Sequence, residues 1–196
     1  MLRYLGESME ALAEHPRTRL KIDAALSRLS TDTTSEGAQA AALHCRDAIV
    51  EFANSVFSLD FAATPDQVPS PNDAKARIDL TLAHFGELEA SEDQRNLLKT
   101  ILKSVLAGQH DREFTTREAL SVVLLTIELL ATLDRLIRAA AEREEFYQQY
   151  GLYKCGGCGR AKLTVEWIGD MDSDGIVSAY PYLLCDHCGW SPPGGI

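Results

Sequence analysis

The sequence has no run of about eighteen apolar residues, the length a helix needs to cross a bilayer. Its longest apolar stretch, Ala119 to Leu133, is broken by Ser121, Thr126, Glu128 and Thr132. The start, Met1-Leu-Arg-Tyr-Leu-Gly-Glu, lacks the apolar core of a secretory signal. No membrane association and a cytoplasmic location are the expectations. Positive charge is also scarce: 19 Lys and Arg stand against 29 Asp and Glu, a formal −10. Residues 1–150 hold 16 basic and 24 acidic residues, and residues 151–196 hold 3 and 5. Non-specific nucleic-acid binding draws its affinity from cations that neutralise phosphates. Neither part has such a surplus, so only a local basic patch leaves nucleic acid open as a partner. Cysteine is scarce as well. Five in 196 residues is too few for a secreted disulfide scaffold of this length.

Four of those five cysteines are paired, as Cys155-Gly-Gly-Cys158 and Cys185-Asp-His-Cys188, with 26 residues between the pairs. Each C-x-x-C can present two thiolates from one tight turn. Two such pairs complete a tetrahedral S₄ shell, which suits one Zn²⁺. Gly159 and Gly189 follow the pairs, where backbone amides can fold toward the sulfurs without a Cβ in the way. A closed S₄ shell keeps no open position, so the zinc is read as structural rather than catalytic.

Residues 1–150 read as helical, in five or six helices. Leu2, Leu5, Met9, Leu12 and Ala13 recur at helical spacing before Pro16 breaks or restarts the pattern. Leu20, Ile22, Ala24, Leu26 and Leu29 mark a second, short helix. A longer one is expected from about Ala38 to Ser58, with Ala42, Cys45, Ile49, Phe52, Val56 and Leu59 on its apolar stripe. Pro65, Pro69 and Pro71 mark a loop, and Asn72 or Asp73 can cap the helix that carries Ile78, Leu82 and Phe85. Ser91-Glu-Asp-Gln94 has the capping-box pattern and opens a helix through Leu97, Leu98, Ile101, Val105 and Leu106, which Gly108 should end. Thr115 and Glu118 form a second capping box. The helix after it should run toward Phe146 on Ala119, Val122, Val123, Leu130, Leu133 and Ile137, with Thr126 as a polar exception. Gly151 is the expected hinge between a helical domain, 1–150, and a C-terminal one, 151–196.

The last segment changes period. Leu163 to Ile168 alternates apolar and polar residues, Asp170 to Gly175 reads as a turn, and Ile176 to Leu184 as the returning strand. Pro181 places an edge or a bulge there. Knuckle, strand, turn, strand, knuckle is the layout of a zinc ribbon, and about residues 153–191 resemble that family. The fold expected is therefore mainly α, a five- to six-helix bundle followed by a small antiparallel β zinc ribbon.

Other motifs have plainer readings. Asp170-x-Asp172-x-Asp174-Gly175 starts like a calcium loop, but its twelfth position would be Pro181 instead of Glu, so a solvated turn is preferred. Trp167, Tyr180, Tyr182 and Trp190 could stack on single strands, yet without accompanying cations they read as the ribbon's own core. His44 and Cys45 are adjacent on a helix and so do not face each other. Cys45 falls on the apolar stripe and reads as a buried small hydrophobe.

Ala41-Ala-Leu-His-Cys-Arg-Asp-Ala-Ile-Val-Glu-Phe-Ala53 resembles a helix of the HEPN-like domains found in prokaryotic defence and abortive-infection proteins. Leu106 to His110, followed by Phe114 to Ala119, resembles a later part of the same domain, and the likeness spans about residues 37–140. Ribonuclease members of that group use an arginine, four to six residues, then a histidine. That implies His110 with Lys103, or His84 with Arg77, as catalytic candidates. Lys103 stands where arginine is usual, and lysine lacks the bidentate fork. Ile78 follows Arg77 where a polar residue is usual. The reading preferred is therefore a non-enzymatic interaction or adaptor protein of a bacterial defence or toxin–antitoxin type. It has a protein partner, and a homodimer through the bundle is open to it. A metal-independent ribonuclease and a transcription-associated zinc-ribbon factor are the alternatives.

Overall fold

The computed structural model describes residues 2–85, 92–111, 113–150, 164–171, 177–185 and 188–191. Within them the chain is mainly helical: α1 (Leu2–Ala11), α2 (Pro16–Thr31), α3 (Ser35–Val56), α4 (Ala74–His84), α5 (Glu92–His110) and α6 (Thr116–Tyr150), followed by strands β1 (Thr164–Met171) and β2 (Val177–Leu184). Among the described residues no helix is long and apolar enough to cross a membrane. The chain divides into two compact units, Met1–Glu142 and Arg143–Ile196, so the division falls in the last turns of α6.

In the first unit α3 is central and packs on α2, α4 and α5. Its buried face is largely alanine: Ala38, Ala41, Ala42, Ala48 and Ala53, with Cys45, Ile49 and Phe52. Small side chains let neighbouring helices approach closely. Capping sets the helix starts. Pro16 does not break a helix but begins α2 at the first position, where a missing N–H costs nothing. Thr34 caps α3 by accepting from the Gly37 N–H at 3.2 Å, and Asp73 caps α4 by accepting from the Ala76 N–H at 3.1 Å. The capping box at α6 closes both ways. Glu118 Oε2 accepts from the Thr115 N–H at 2.8 Å, and Thr115 Oγ1 accepts from the Glu118 N–H at 3.2 Å.

The structure corrects several expectations. Leu20, Leu59 and Leu106 are exposed, not core. Leu59 lies beyond the end of α3, in the short 3₁₀ turn Leu59–Phe61. On α2 the core takes Ile22, Ala25 and Leu29 instead. Gly108 does not end α5, which continues to His110. A Cβ at Gly108 would come within 2.8 Å of the Phe114 ring, so the glycine makes room for an aromatic side chain. Ser91 and Gly151 lie outside the described residues.

In the second unit β1 and β2 form an antiparallel pair in continuous register from Thr164 opposite Leu184 to Met171 opposite Val177. Pro181 sits opposite Trp167 without a bulge. In a two-stranded sheet both strands are edges, so the N–H that proline lacks can belong to the outward side. Asp170 lies within β1 opposite Ser178, so it belongs to the ladder and not to a loop.

Candidate functional site: a cysteine turn and a buried histidine

Directly after β2 the chain makes a tight turn around Cys185. The Gly189 N–H donates to the Cys185 carbonyl at 2.8 Å, and the Cys185 N–H donates to the Trp190 carbonyl at 2.9 Å. Gly189 has φ +68, the left-handed region that glycine adopts without a Cβ penalty. Nothing lies within 4 Å of where its Cβ would be, so backbone conformation, not space, calls for glycine. Cys185 is buried and Cys188 exposed. Two backbone hydrogen bonds thus bring Gly189 and Trp190 back against Cys185. Cys155, Cys158, Asp186 and His187 lie outside the described residues, as do Asp172, Asp174 and Gly175. Among the described residues no three metal-ligating side chains converge, with half of the cysteine set outside them.

The helical candidates are placed as follows. Arg77 and His84 both lie on α4, and both hold the segment before it. Arg77 donates from Nε to the Ser70 carbonyl at 3.2 Å and from Nη2 to the Pro69 carbonyl at 3.0 Å, with its guanidinium 4.7 Å from the centre of the Phe57 ring. His84 stacks on Phe61 at 4.2 Å and meets Phe85 edge-on at 5.0 Å. These contacts pin the Pro-rich segment through cation–π and aromatic packing. Lys103 is exposed on α5, and His110 is that helix's last residue, its side chain outside those described. Cys45 is fully buried, and burial pushes its thiol up to about 12 against a smaller opposing effect from a hydrogen bond with Thr126. His44 is not its partner: its Nδ1 is buried without a hydrogen bond. Asp47 pairs with Lys21 at 3.3 Å.

The best-formed polar cluster in the helical unit is one to which no sequence motif points. His15, immediately before α2, bridges two helices. Its Nδ1 is 2.8 Å from Ser55 Oγ in the last turn of α3, and its Nε2 is 2.8 Å from Asp134 Oδ1 on α6. Asp134 is 3% exposed, and its other oxygen accepts from Arg138 Nε at 2.8 Å. Arg138 in turn pairs with Glu14 at 2.9 Å. The His15 ring meets Phe52 edge-on at 5.0 Å, which fixes its plane. Beside it lies a cavity of about 290 Å³, whose lining includes His15, Ser55, Thr18, Asn54, Glu14 and Glu51. Thr18 Oγ1 and Asn54 Oδ1 are buried with no hydrogen-bond partner. His15 and its partners are 40 and 119 residues apart, so no local motif joins them. The available signal was Asp134 itself, a charge set between Leu133 and Ile137 on the apolar stripe of α6.

No protein-family model, curated protein or solved structure matches this chain.

Proposed function

We propose that the chain is a partner-recognition protein, a helical scaffold carrying a zinc ribbon in which Cys155, Cys158, Cys185 and Cys188 hold one structural Zn²⁺. The observation that carries this reading is the turn at Cys185–Gly189, which follows a β-hairpin directly and is folded back by two backbone hydrogen bonds. Zinc bound there ties the ends of a two-stranded hairpin, an element that is marginal alone in water. Four deprotonated thiolates on one Zn²⁺ leave a local charge of about −2, adding to an already acidic chain. That balance suits a basic protein surface as partner rather than a nucleic acid. The resemblance of residues 37–140 to HEPN-like domains extends the proposal to a bacterial defence or toxin–antitoxin setting. The engagement of Arg77 and His84 in packing the Pro-rich segment counts against that pair, and leaves Lys103 with His110 as the candidates of the ribonuclease alternative.

The test is metal analysis of the purified chain, with about one zinc per chain as the expected result. Cys185→Ser should lower the content, and Cys45→Ser should leave it unchanged. A zinc-free protein whose hairpin remains folded would refute the reading.

A further inference from the structure

We propose that the helical unit carries a serine acyl-hydrolase site, with Ser55 as nucleophile, His15 as its base, Asp134 as the residue that orients the base, and a small ester without negative charge as substrate. This goes beyond the partner-recognition reading and does not depend on the zinc.

Hydrogen counting assigns the roles. A carboxylate only accepts, so Nε2 of His15 carries the proton it donates to Asp134. A neutral His15 ring then presents the bare Nδ1 to Ser55 Oγ at 2.8 Å. Asp134 thus selects the tautomer that can take the hydroxyl proton, and its own charge is held by Arg138. Ser55 has one proton and two acceptors in reach, the Phe52 carbonyl at 2.7 Å and Nδ1 at 2.8 Å. Rotation of the hydroxyl between them switches the serine from resting to activated. Ser55 is exposed while Asp134 is buried, so a substrate reaches the nucleophile and water does not reach the orienting carboxylate.

The cavity supplies the remaining part. The His15 N–H donates to Leu12, the Arg19 N–H donates to His15, and Pro16 has none. The amides of Arg17 and Thr18, in the first turn of α2, therefore have no intrahelical acceptor. Both residues line the cavity that Ser55 and His15 line. Two uncapped amides at a helix N-terminus can hold a developing oxyanion. Thr18 itself is 1% exposed, and its Oγ1 is buried without a partner beneath this first turn, closed off from the cavity. A role in packing alone would not require the opening onto Ser55. The cavity volume of about 290 Å³ is at the lower end for ligand pockets, which points to a small acyl group. Its lining carries two carboxylates, Glu14 and Glu51, against one cation, Arg17, a net acidic balance that disfavours an anionic one.

The reaction balances with water as co-reactant. Ser55 Oγ bonds to the ester carbonyl carbon as its proton passes to Nδ1, and the carbonyl oxygen becomes the oxyanion. Collapse breaks the bond to the alcohol oxygen, which takes the proton from Nδ1. Water then attacks the acyl-serine, yields a proton to Nδ1, and releases the carboxylic acid as Ser55 regains a proton.

The experiment uses the full chain with diisopropyl fluorophosphate and, separately, p-nitrophenyl butyrate. Peptide mapping should find one phosphoryl adduct on Ser55, absent in Ser55→Ala. Its formation should slow at least ~10²-fold in His15→Gln, the usual size of general-base assistance. Acid quenching during butyrate turnover should trap a butyryl group on Ser55, a result that needs no variant. Ser55 unmodified by both reagents, or modified equally fast in folded His15→Gln, would overturn the proposal.

Discussion

Gly108→Ala sets two known magnitudes against each other. Gly108 lies in the last turn of α5, and its φ is not positive. By propensity alone, alanine in place of a helical glycine should stabilise by up to ~1 kcal/mol, the figure for a helix interior. The new methyl, however, would lie 2.8 Å from Phe114 Cε1 and Cζ and 3.0 Å from Cε2. Those atoms are the tip of the ring, which could swing away if its base were loose. It is not loose: the Phe114 carbonyl accepts from Ser35 Oγ at 2.9 Å, and its N–H donates to the Asp111 carbonyl at 3.3 Å. The ring is also largely buried, at 8% exposure, so moving it outward exposes apolar area. Overpacking of this kind costs typically ~1–3 kcal/mol. The clash should outweigh the propensity gain and leave Gly108→Ala destabilised by about 1 kcal/mol.

Gly6 supplies the control. It lies in α1 with nothing within 4 Å of the place a methyl would take, so Gly6→Ala should stabilise by a few tenths to ~1 kcal/mol. Urea unfolding followed by far-UV circular dichroism reads both, with the midpoint moving in opposite directions and the slope unchanged. The double variant Gly108→Ala/Phe114→Leu discriminates the cause. If the ring is the obstacle, the added alanine should cost less in the leucine background than in the wild type. A helix-ending role for Gly108 would give the same penalty in both backgrounds. Equal penalties, or a stabilised Gly108→Ala, would refute the steric argument.

Two further predictions concern ionisable groups. Burial pushes the Asp79 carboxyl up, but hydrogen bonds from Arg95 at 2.7 Å and from Lys75 outweigh it and hold the group below its usual value. A depressed carboxylate stabilises the fold above its unfolded pKa, and this is lost as pH falls through the folded value. Asp79→Asn should therefore lower stability at pH 7 by no more than ~1 kcal/mol, since the pair is partly solvated, with the difference closing in acid. A difference independent of pH would contradict the pairing. Cys45, with its thiol raised to about 12, should resist alkylation by iodoacetamide in the native protein at pH 8 and react on unfolding. Native labelling at the rate of an exposed thiol would contradict its burial.

Local chemistry was the readable part. The caps at Thr115–Glu118 and Asp73 form as expected because each is a contact within three residues of sequence. Spacing found Ile49, Phe52, Val122, Leu130 and Leu133, which are buried. It failed at Leu20 and Leu106, which sit beside the correct stripes. Period alone fixes a stripe only to within about 100°, and neighbouring helices decide which edge they cover. Gly108 carried a helix-end signal, but its position answers to Phe114, which lies beyond the end of α5.

The His15 cluster lay beyond this kind of reading for a physical reason. A buried carboxylate is costly unless it is paired and hydrogen-bonded, so Asp134 within an apolar stripe implies partners. Periodicity gives the requirement without the identity, because the partners come from the start of α2 and, through His15, the end of α3. Arg138, one turn along α6, satisfies one oxygen locally. The other oxygen falls to His15, whose remaining nitrogen meets Ser55. Each link completes the hydrogen bonding of the one before it. The chain of links leads from a buried charge to an exposed hydroxyl that lines a cavity. Packing demands explain Asp134, Arg138 and one face of His15; they do not require the chain to end on Ser55.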